Sequence, residues 1–238
     1  CFGLADFVYK RAAAAGVPAH RFLMLQAWFF APTVFLYGIL SGTLAFNPAA
    51  LWGSAVGLFV YIGLYFFARS LQGGAVSINA PIFRLSFTIT AALAVWLLDE
   101  PLTPLKFAGL ALALIATWLL LGGAAAHRAS RKSLVQVLVA MLSLGIANFL
   151  YKVGLLGGAS PASLLVAQAV VFISLATGVA CAIDRGLKPS RAALPRAATA
   201  AVLLVFAFIL QIEGLARGQA SVLVPIAQMG FVVTSALG

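Results

Sequence analysis

Acidic residues are scarce in this chain. Asp and Glu number 5 in 238 residues against 15 Lys and Arg, and charged residues of both signs make up 8%, where a soluble domain carries roughly 25%. A chain so short of charge cannot cover a water-facing surface, so soluble globular architectures are excluded. Its 63% hydrophobic content excludes disorder as well. The two cysteines, Cys1 and Cys181, lie far apart in apolar sequence, too few for a disulfide framework or a metal site. Cys1 reads as a chain end rather than a lipidated one, because Phe2 already opens an apolar segment. No signal peptide with a cleavage site is visible. The histidines, His20 and His127, each stand beside an Arg in a polar connector, a poor setting for a metal ligand or general base. A glycine-rich phosphate loop, a GxSxG element and an acidic pair within one apolar helix are all missing. No enzymatic activity, metal or cofactor is therefore expected, and no ATP-binding module is visible.

What is there is a mean hydropathy of +1.10 and long stretches free of charge. These place the chain among polytopic helical membrane proteins. The Lys and Arg residues fall mostly in short connectors, so the net charge of +10 describes membrane topology rather than a nucleic-acid surface. A spanning helix needs about 20 mainly apolar residues. Cutting at charges, prolines and glycine pairs gives nine segments, near 1–9, 22–43, 50–68, 75–98, 104–122, 133–152, 161–183, 198–214 and 218–238. Trp52, Trp96 and Trp118 fall near segment ends, as interfacial rings do, whereas Trp28 lies deeper and is expected to pack.

The strongest signal is an internal repeat. Gly3-Leu4-Ala5-Asp6-Phe7-Val8-Tyr9-Lys10 aligns with Gly145-Ile146-Ala147-Asn148-Phe149-Leu150-Tyr151-Lys152 at an offset of 142, with five identities in eight. The same offset pairs Gly16 with Gly158, Gln26 with Gln168, Ala27 with Ala169 and Phe30 with Phe172. An offset of 144 then pairs Gly74 with Gly218, Ser77 with Ser221, Pro81 with Pro225, Ile82 with Ile226, Phe87 with Phe231, Thr90 with Thr234 and Ala92 with Ala236. Apolar sequences match one another cheaply; shared Lys, Gln, Pro and Thr at a nearly constant offset do not arise from composition. Each unit holds five segments, and an odd number sends the second unit into the membrane from the opposite side. The expected fold is thus an all-α polytopic bundle of two inverted-topology repeats, residues 1–123 and 133–238, joined by a basic connector at 124–132. By the same comparison a tenth helix of about 28 residues and about ten N-terminal residues would complete the pair.

Three stretches carry a resemblance: Ser77-Ile78-Asn79-Ala80-Pro81-Ile82-Phe83-Arg84-Leu85-Ser86-Phe87, Leu98-Asp99-Glu100-Pro101-Leu102-Thr103, and Ala216-Arg217-Gly218-Gln219-Ala220-Ser221-Val222-Leu223-Val224-Pro225-Ile226-Ala227. The chain resembles the EamA-like branch of the drug/metabolite transporter superfamily over essentially its whole length. The family usually has Gly-Glu where this sequence has Asp99-Glu100. The resemblance implies ten helices in two homologous halves and a transport role for amino acids, nucleotide sugars, drugs or other metabolites.

Candidate site residues are polar positions deep in helices and related by the repeat. Arg84 has fourteen uncharged residues on either side, which puts a guanidinium near the middle of a span, where a charge costs about 2.5–3.5 kcal/mol even on the lenient insertion scale. It fits recognition of an anionic or zwitterionic substrate, or a structural ion pair. Gln228 is its repeat partner. Pro81 and Pro225, three residues earlier in each half, are expected to kink their helices. Gln26 and Gln168 form a second pair, Asp6 and Asn148 a third, and Tyr9 and Tyr151 a fourth; Asn79 and Gln211 are weaker candidates. Asp6 is a candidate for proton coupling, against which stand its Asn partner and its neighbour Lys10. Lys10 and Lys152 are expected to act as snorkelling interface anchors, and Glu213 and Arg217 to pair one turn apart.

Numbering the spans this way, one face receives Lys10, Arg11, Arg21, Arg69, Arg128, Arg131, Lys132, Arg185, Lys188, Arg191 and Arg196, and the other only Lys106, Lys152 and Arg217. The first face would be cytoplasmic by the positive-inside rule, with the N-terminus outside; the resemblance implies cytoplasmic termini for many members, which opposes this. The expected function is a secondary transporter in a bacterial inner membrane, exporting small metabolites or amino acids by alternating access. Its partners are the lipid bilayer and a small-molecule substrate. The rival readings are an exchanger of phosphorylated or nucleotide-linked compounds and a non-transporting membrane scaffold.

Overall fold

The computed structural model describes residues 1–45, 47–121 and 130–229, and among these the regular structure is helical. The helices are α1 (Phe2–Ala14), α2 (Ala19–Leu40), α3 (Trp52–Gly73, led by a 3-10 turn at Pro48–Leu51), α4 (Val76–Arg84), α5 (Ser86–Leu97), α6 (Pro104–Leu121), α7 (Arg131–Leu156), α8 (Pro161–Asp184), α9 (Leu194–Arg217) and α10 (Ala220–Gln228). Each of the nine apolar segments meets a helix. Among the described residues six spans are long and apolar enough to cross a bilayer, with α4 and α5 counted as one, and Pro104–Ile115 is a shorter apolar stretch. The expected matches at Phe231, Thr234 and Ala236, the connector residues His127 and Arg128, and the Trp118 side chain lie outside the described residues.

Local chemistry fixes the helix starts. Ser130 and Ser160 accept hydrogen bonds from the amides of Ser133 and Ser163 (3.1 Å each), and Pro161 follows at the first helical position, where its missing N–H costs nothing. Outward faces carry exposed Leu40, Trp96 and Leu105, a surface suited to acyl chains rather than water. Trp28 belongs to this outer surface rather than to the packed interior expected for it. It is 36% exposed, and its indole N–H donates to Thr177 Oγ1 at 3.0 Å.

With no hydrophobic drive between helices in lipid, small residues let backbones approach. Gly53 and Gly57 bring α3 against α8: a methyl group on either would fall 2.4 Å from the Leu164 carbonyl oxygen or 2.7 Å from that of Gln168. Gly145 of α7 does the same against α5, where its carbonyl accepts from Thr90 Oγ1 at 2.9 Å. The helix pairings are reciprocal between the two halves: α1 packs on α9, α3 packs on α7, and α2 packs on α8.

The span at 75–98 is not one helix. It breaks at Leu85, one turn beyond Pro81, where the Leu85 amide bonds the carbonyls of both Pro81 and Ile82 at 3.1 Å. Met229, one turn beyond Pro225, repeats the pattern with its amide on the Ile226 carbonyl at 3.2 Å. The helix α10 starts beside the end of α5. There the Glu100 carboxylate accepts from the Ala220 amide (2.9 Å), the Ser221 amide (3.0 Å) and the Ser221 hydroxyl (2.5 Å). From that end α10 runs antiparallel to α5. The turn carrying Glu100 passes through Asp99 at φ +51°, a left-handed conformation that glycine adopts without strain, which accounts for the Gly that the resembling family carries there.

Burial pushes the Glu100 carboxyl up, but the bonds from the Ser221 hydroxyl and amide and the Ala220 amide, with Lys106 nearby, outweigh it and hold the group below the usual carboxylate range. A depressed folded value means that the stabilisation is present above about pH 4.3 and is lost as pH falls through the folded value. Glu100→Ala is expected to lower stability at neutral pH by about 1–2 kcal/mol. Thermal melts of both proteins across pH should show the gap closing on the acid side.

Candidate functional site

Arg84 ends α4 at the break and is buried. A guanidinium there must spend its donors inside the protein, and it does. Nε donates to Asp6 Oδ2 (3.0 Å) and Nη2 to Asp6 Oδ1 (2.5 Å), the two-pronged geometry that suits a carboxylate, and Nη1 donates to Gln228 Oε1 at 2.7 Å. Nη2 also reaches the Phe2 carbonyl at 3.5 Å, and the cation lies 5.0 Å from the Phe2 ring centre and 5.1 Å from that of Phe83. Arg84 and its repeat partner Gln228 are in direct contact, and Asp6 shares the same guanidinium. Lys10, the cation nearer to Asp6 in sequence, instead donates to the Gly74 carbonyl at 3.3 Å.

A second cluster repeats itself in the two halves. Tyr9 donates its hydroxyl to Gln26 Oε1, and Tyr151 donates to Gln168 Oε1. All four side chains are buried, and each glutamine leaves its amide Nε2 without a partner. Both glutamines line a narrow void with no room for a water molecule, whose wall also includes Phe30, Phe172, Val60, Leu64 and Phe208. Phe30 stands 5.8 Å from Phe172 and 5.9 Å from Phe208 between ring centres. Three repeat-related pairs thus meet at one place: Gln26 with Gln168, Phe30 with Phe172 and, at the offset of 144, Leu64 with Phe208. Phe208 also packs edge-on against Phe2 at 5.6 Å, so the void and the Arg84 cluster share a wall.

The remaining candidates are placed elsewhere. Asn79 is tied to the Ser70 carbonyl and the Ser133 hydroxyl, each at 2.9 Å, where α3, α4 and α7 meet. Asn148 accepts from Gln211 Nε2 at 2.7 Å and leaves its Nδ2 without a partner, so the second half does not copy the Asp6–Arg84 arrangement. Lys152, like Lys10, is not a surface anchor. It is half-buried and donates to the carbonyls of Leu215 (3.0 Å) and Gly218 (2.7 Å) at the C-terminus of α9, as Lys10 does at the C-terminus of α3. A cation at the negative end of a helix, on carbonyls that no amide satisfies, is well used there. Glu213 and Arg217 pair at 2.7 Å, and Tyr37 donates to Glu213 at 2.9 Å.

The model of the EamA-like transporter family matches residues 1–122, just over half of the chain. The chain belongs to that family. It is a multi-pass membrane protein and a membrane transporter. No curated protein matches it. Within this EamA-like chain the contribution of Glu100 is one that sequence reasoning missed. The acidic stretch was legible as a family mark, but the helix end it caps lies 120 residues away. The pairing of Lys10 and Lys152 at an offset of 142 carried the signal for their shared capping role.

Removing one partner of a buried ion pair leaves the other charge uncompensated, at a cost of about 3–5 kcal/mol. Arg84→Gln is expected to lower the stability of the EamA-like chain by about that amount, and the double variant Asp6→Asn/Arg84→Gln by clearly less. Melts of the two single variants and the double in one detergent check this; additive losses would remove the coupling.

Proposed function

We propose that this chain is a secondary carrier that exports a small metabolite, such as an amino acid, across a bacterial inner membrane by alternating access between two inverted-topology halves. The observation that carries the reading is the void where the repeat-related glutamines and aromatic residues converge with unpartnered amide donors. Buried donors in a packed core are mostly paired, and these two are not. A ligand bearing a carboxylate or carbonyl and an apolar body would satisfy them, the acceptor on the amides of Gln26 and Gln168 and the body against Phe30, Phe172 and Phe208. The void has no room for a water molecule, whereas small-molecule sites occupy about 300–1,000 Å³, so it admits such a ligand only when the halves part. Reciprocal packing of α1 on α9 and α3 on α7, with α10 antiparallel to α5, supports a two-fold relation between the halves and a rocking motion about it.

In this reading Arg84 holds the closed arrangement, bridging Asp6 of the first half to Gln228 of the second. With its fork on Asp6, and with no cation in the void's wall among the described residues, an exchanger of phosphorylated compounds is the weaker reading. The basic face would be cytoplasmic by the positive-inside rule. The grouping of charges agrees with it: Arg21 and His20 meet Asp184 at one end, and Lys152 meets Gly218 at the other.

The test is counterflow of a mixed, labelled pool of amino acids, neutral metabolites and sugar phosphates into liposomes holding the chain, compared with Gln26→Leu and Gln168→Leu. Loss of two amide donors facing a substrate is expected to cut flux of the transported compound at least about tenfold while the fold persists. Equal flux in the variants would remove the glutamines from the site, and no flux of any compound by the wild type would favour the scaffold reading.

A further inference from the structure

At the basic end of the bundle, α1 and α9 leave a groove of about 550 Å³ between them, whose lining combines apolar Val8, Ala15 and Pro195 with Arg11, Arg196 and Thr199. One arginine comes from each half. Arg11 is exposed and lies 5.0 Å from the centre of the Phe7 ring; Arg196 is half-buried and donates from Nη1 to the Ala192 carbonyl at 2.8 Å. Neither meets a carboxylate, and the chain has none left to supply. Of its 5 acidic residues, Asp6 is held by Arg84, Glu100 caps α10, Asp184 is taken by Arg21 and His20, Glu213 pairs with Arg217, and Asp99 sits in the α5–α6 turn at the opposite end. Two like charges on one groove, with no internal counter-ion, leave it open to an anion from outside the protein.

The geometry points to a phospholipid site in this groove, occupied by an anionic lipid whose phosphate bridges Arg11 and Arg196 and whose acyl chain lies along Val8, Ala15 and Pro195. Guanidinium forks suit phosphate oxygens. The apolar part of the lining suits a chain that a soluble phosphate ester does not have. The groove is at the end of the bundle that carries most of the Lys and Arg, where an anionic leaflet would lie. Because the arginines belong to different halves, a bound lipid would also tie α1 to α9 at that face.

Binding of a fluorescent phosphatidylglycerol to the purified chain in detergent, with unlabelled competitors, tests the assignment. Each basic side chain near a charged lipid surface is worth roughly a fivefold change in affinity, so Arg11→Gln/Arg196→Gln is expected to weaken phosphatidylglycerol binding by about thirtyfold, with phosphatidylcholine a similarly poor competitor. Thr199→Trp, which fills the groove and leaves both cations in place, is expected to weaken binding as well. These positions are exposed or half-buried, and thermal melts of the variants confirm that they remain folded. Unchanged affinity in the double variant or in Thr199→Trp, or equal competition by phosphatidylcholine, would overturn the site. Displacement of the lipid by glycerol 3-phosphate would overturn the lipid assignment and transfer the groove to soluble phosphates.

Discussion

A guanidinium in the middle of an apolar span is the constraint around which this bundle is arranged. Arg84 cannot be left to hydrocarbon, and in a helix of uniform pitch it would have few acceptors within reach. The break at Leu85, one turn beyond Pro81, ends α4 at Arg84, where the side chain reaches α1 through Asp6 and α10 through Gln228. Three helices from both halves are therefore registered by one side chain. The far end of α10 is fixed by Glu100, again from the first half. A short helix pinned at both ends by charged groups of the other half is a contact that any separation of the halves must break.

Beside this cluster, satisfaction of the backbone explains residues whose charge would otherwise be misread. Lys10 and Lys152 are drawn inward because α3 and α9 end against the following chain turns with carbonyls that no amide satisfies. Glycines at 53, 57 and 145 let helix backbones come close enough for polar side chains to reach across, which places Gln168 and Thr90 where they act. Among the described residues Tyr61, Ser86, Asn148 and Gln228 also leave a buried donor unpartnered, each at a separate place. The amides of Gln26 and Gln168 stand out because they share one void.

The apolar segments and the family were legible in the sequence because both are carried by local patterns: charge-free runs, and motifs such as that around Pro81. Repeat-related polar pairs were legible too, since Gln, Tyr and Lys at a constant offset are rare in apolar sequence. Their partners were not. The cation nearest to Asp6 in sequence is Lys10, four residues away, whereas its counter-ion is 78 residues away in another helix. The same distance in sequence hid the capping role of Glu100 and the carbonyls bound by Lys10 and Lys152. The depth of Trp28 along its helix was readable, but not the face it turns outward, because α2 is apolar on all sides. Periodicity locates a helix; only packing says which side faces lipid.

The central claim is that the two halves enter the membrane in opposite senses and meet at Arg84 and Gln228. Ala14 and Leu156 end α1 and α7, are separated by the repeat offset of 142, and are both exposed. The most direct measurement introduces Ala14→Cys or Leu156→Cys, one at a time, into a chain with Cys1 and Cys181 replaced by Ser, and labels intact cells with a membrane-impermeant maleimide before and after permeabilisation. The account predicts that Leu156→Cys reacts in intact cells and Ala14→Cys only once the membrane is opened. Labelling of both from the same side would contradict it.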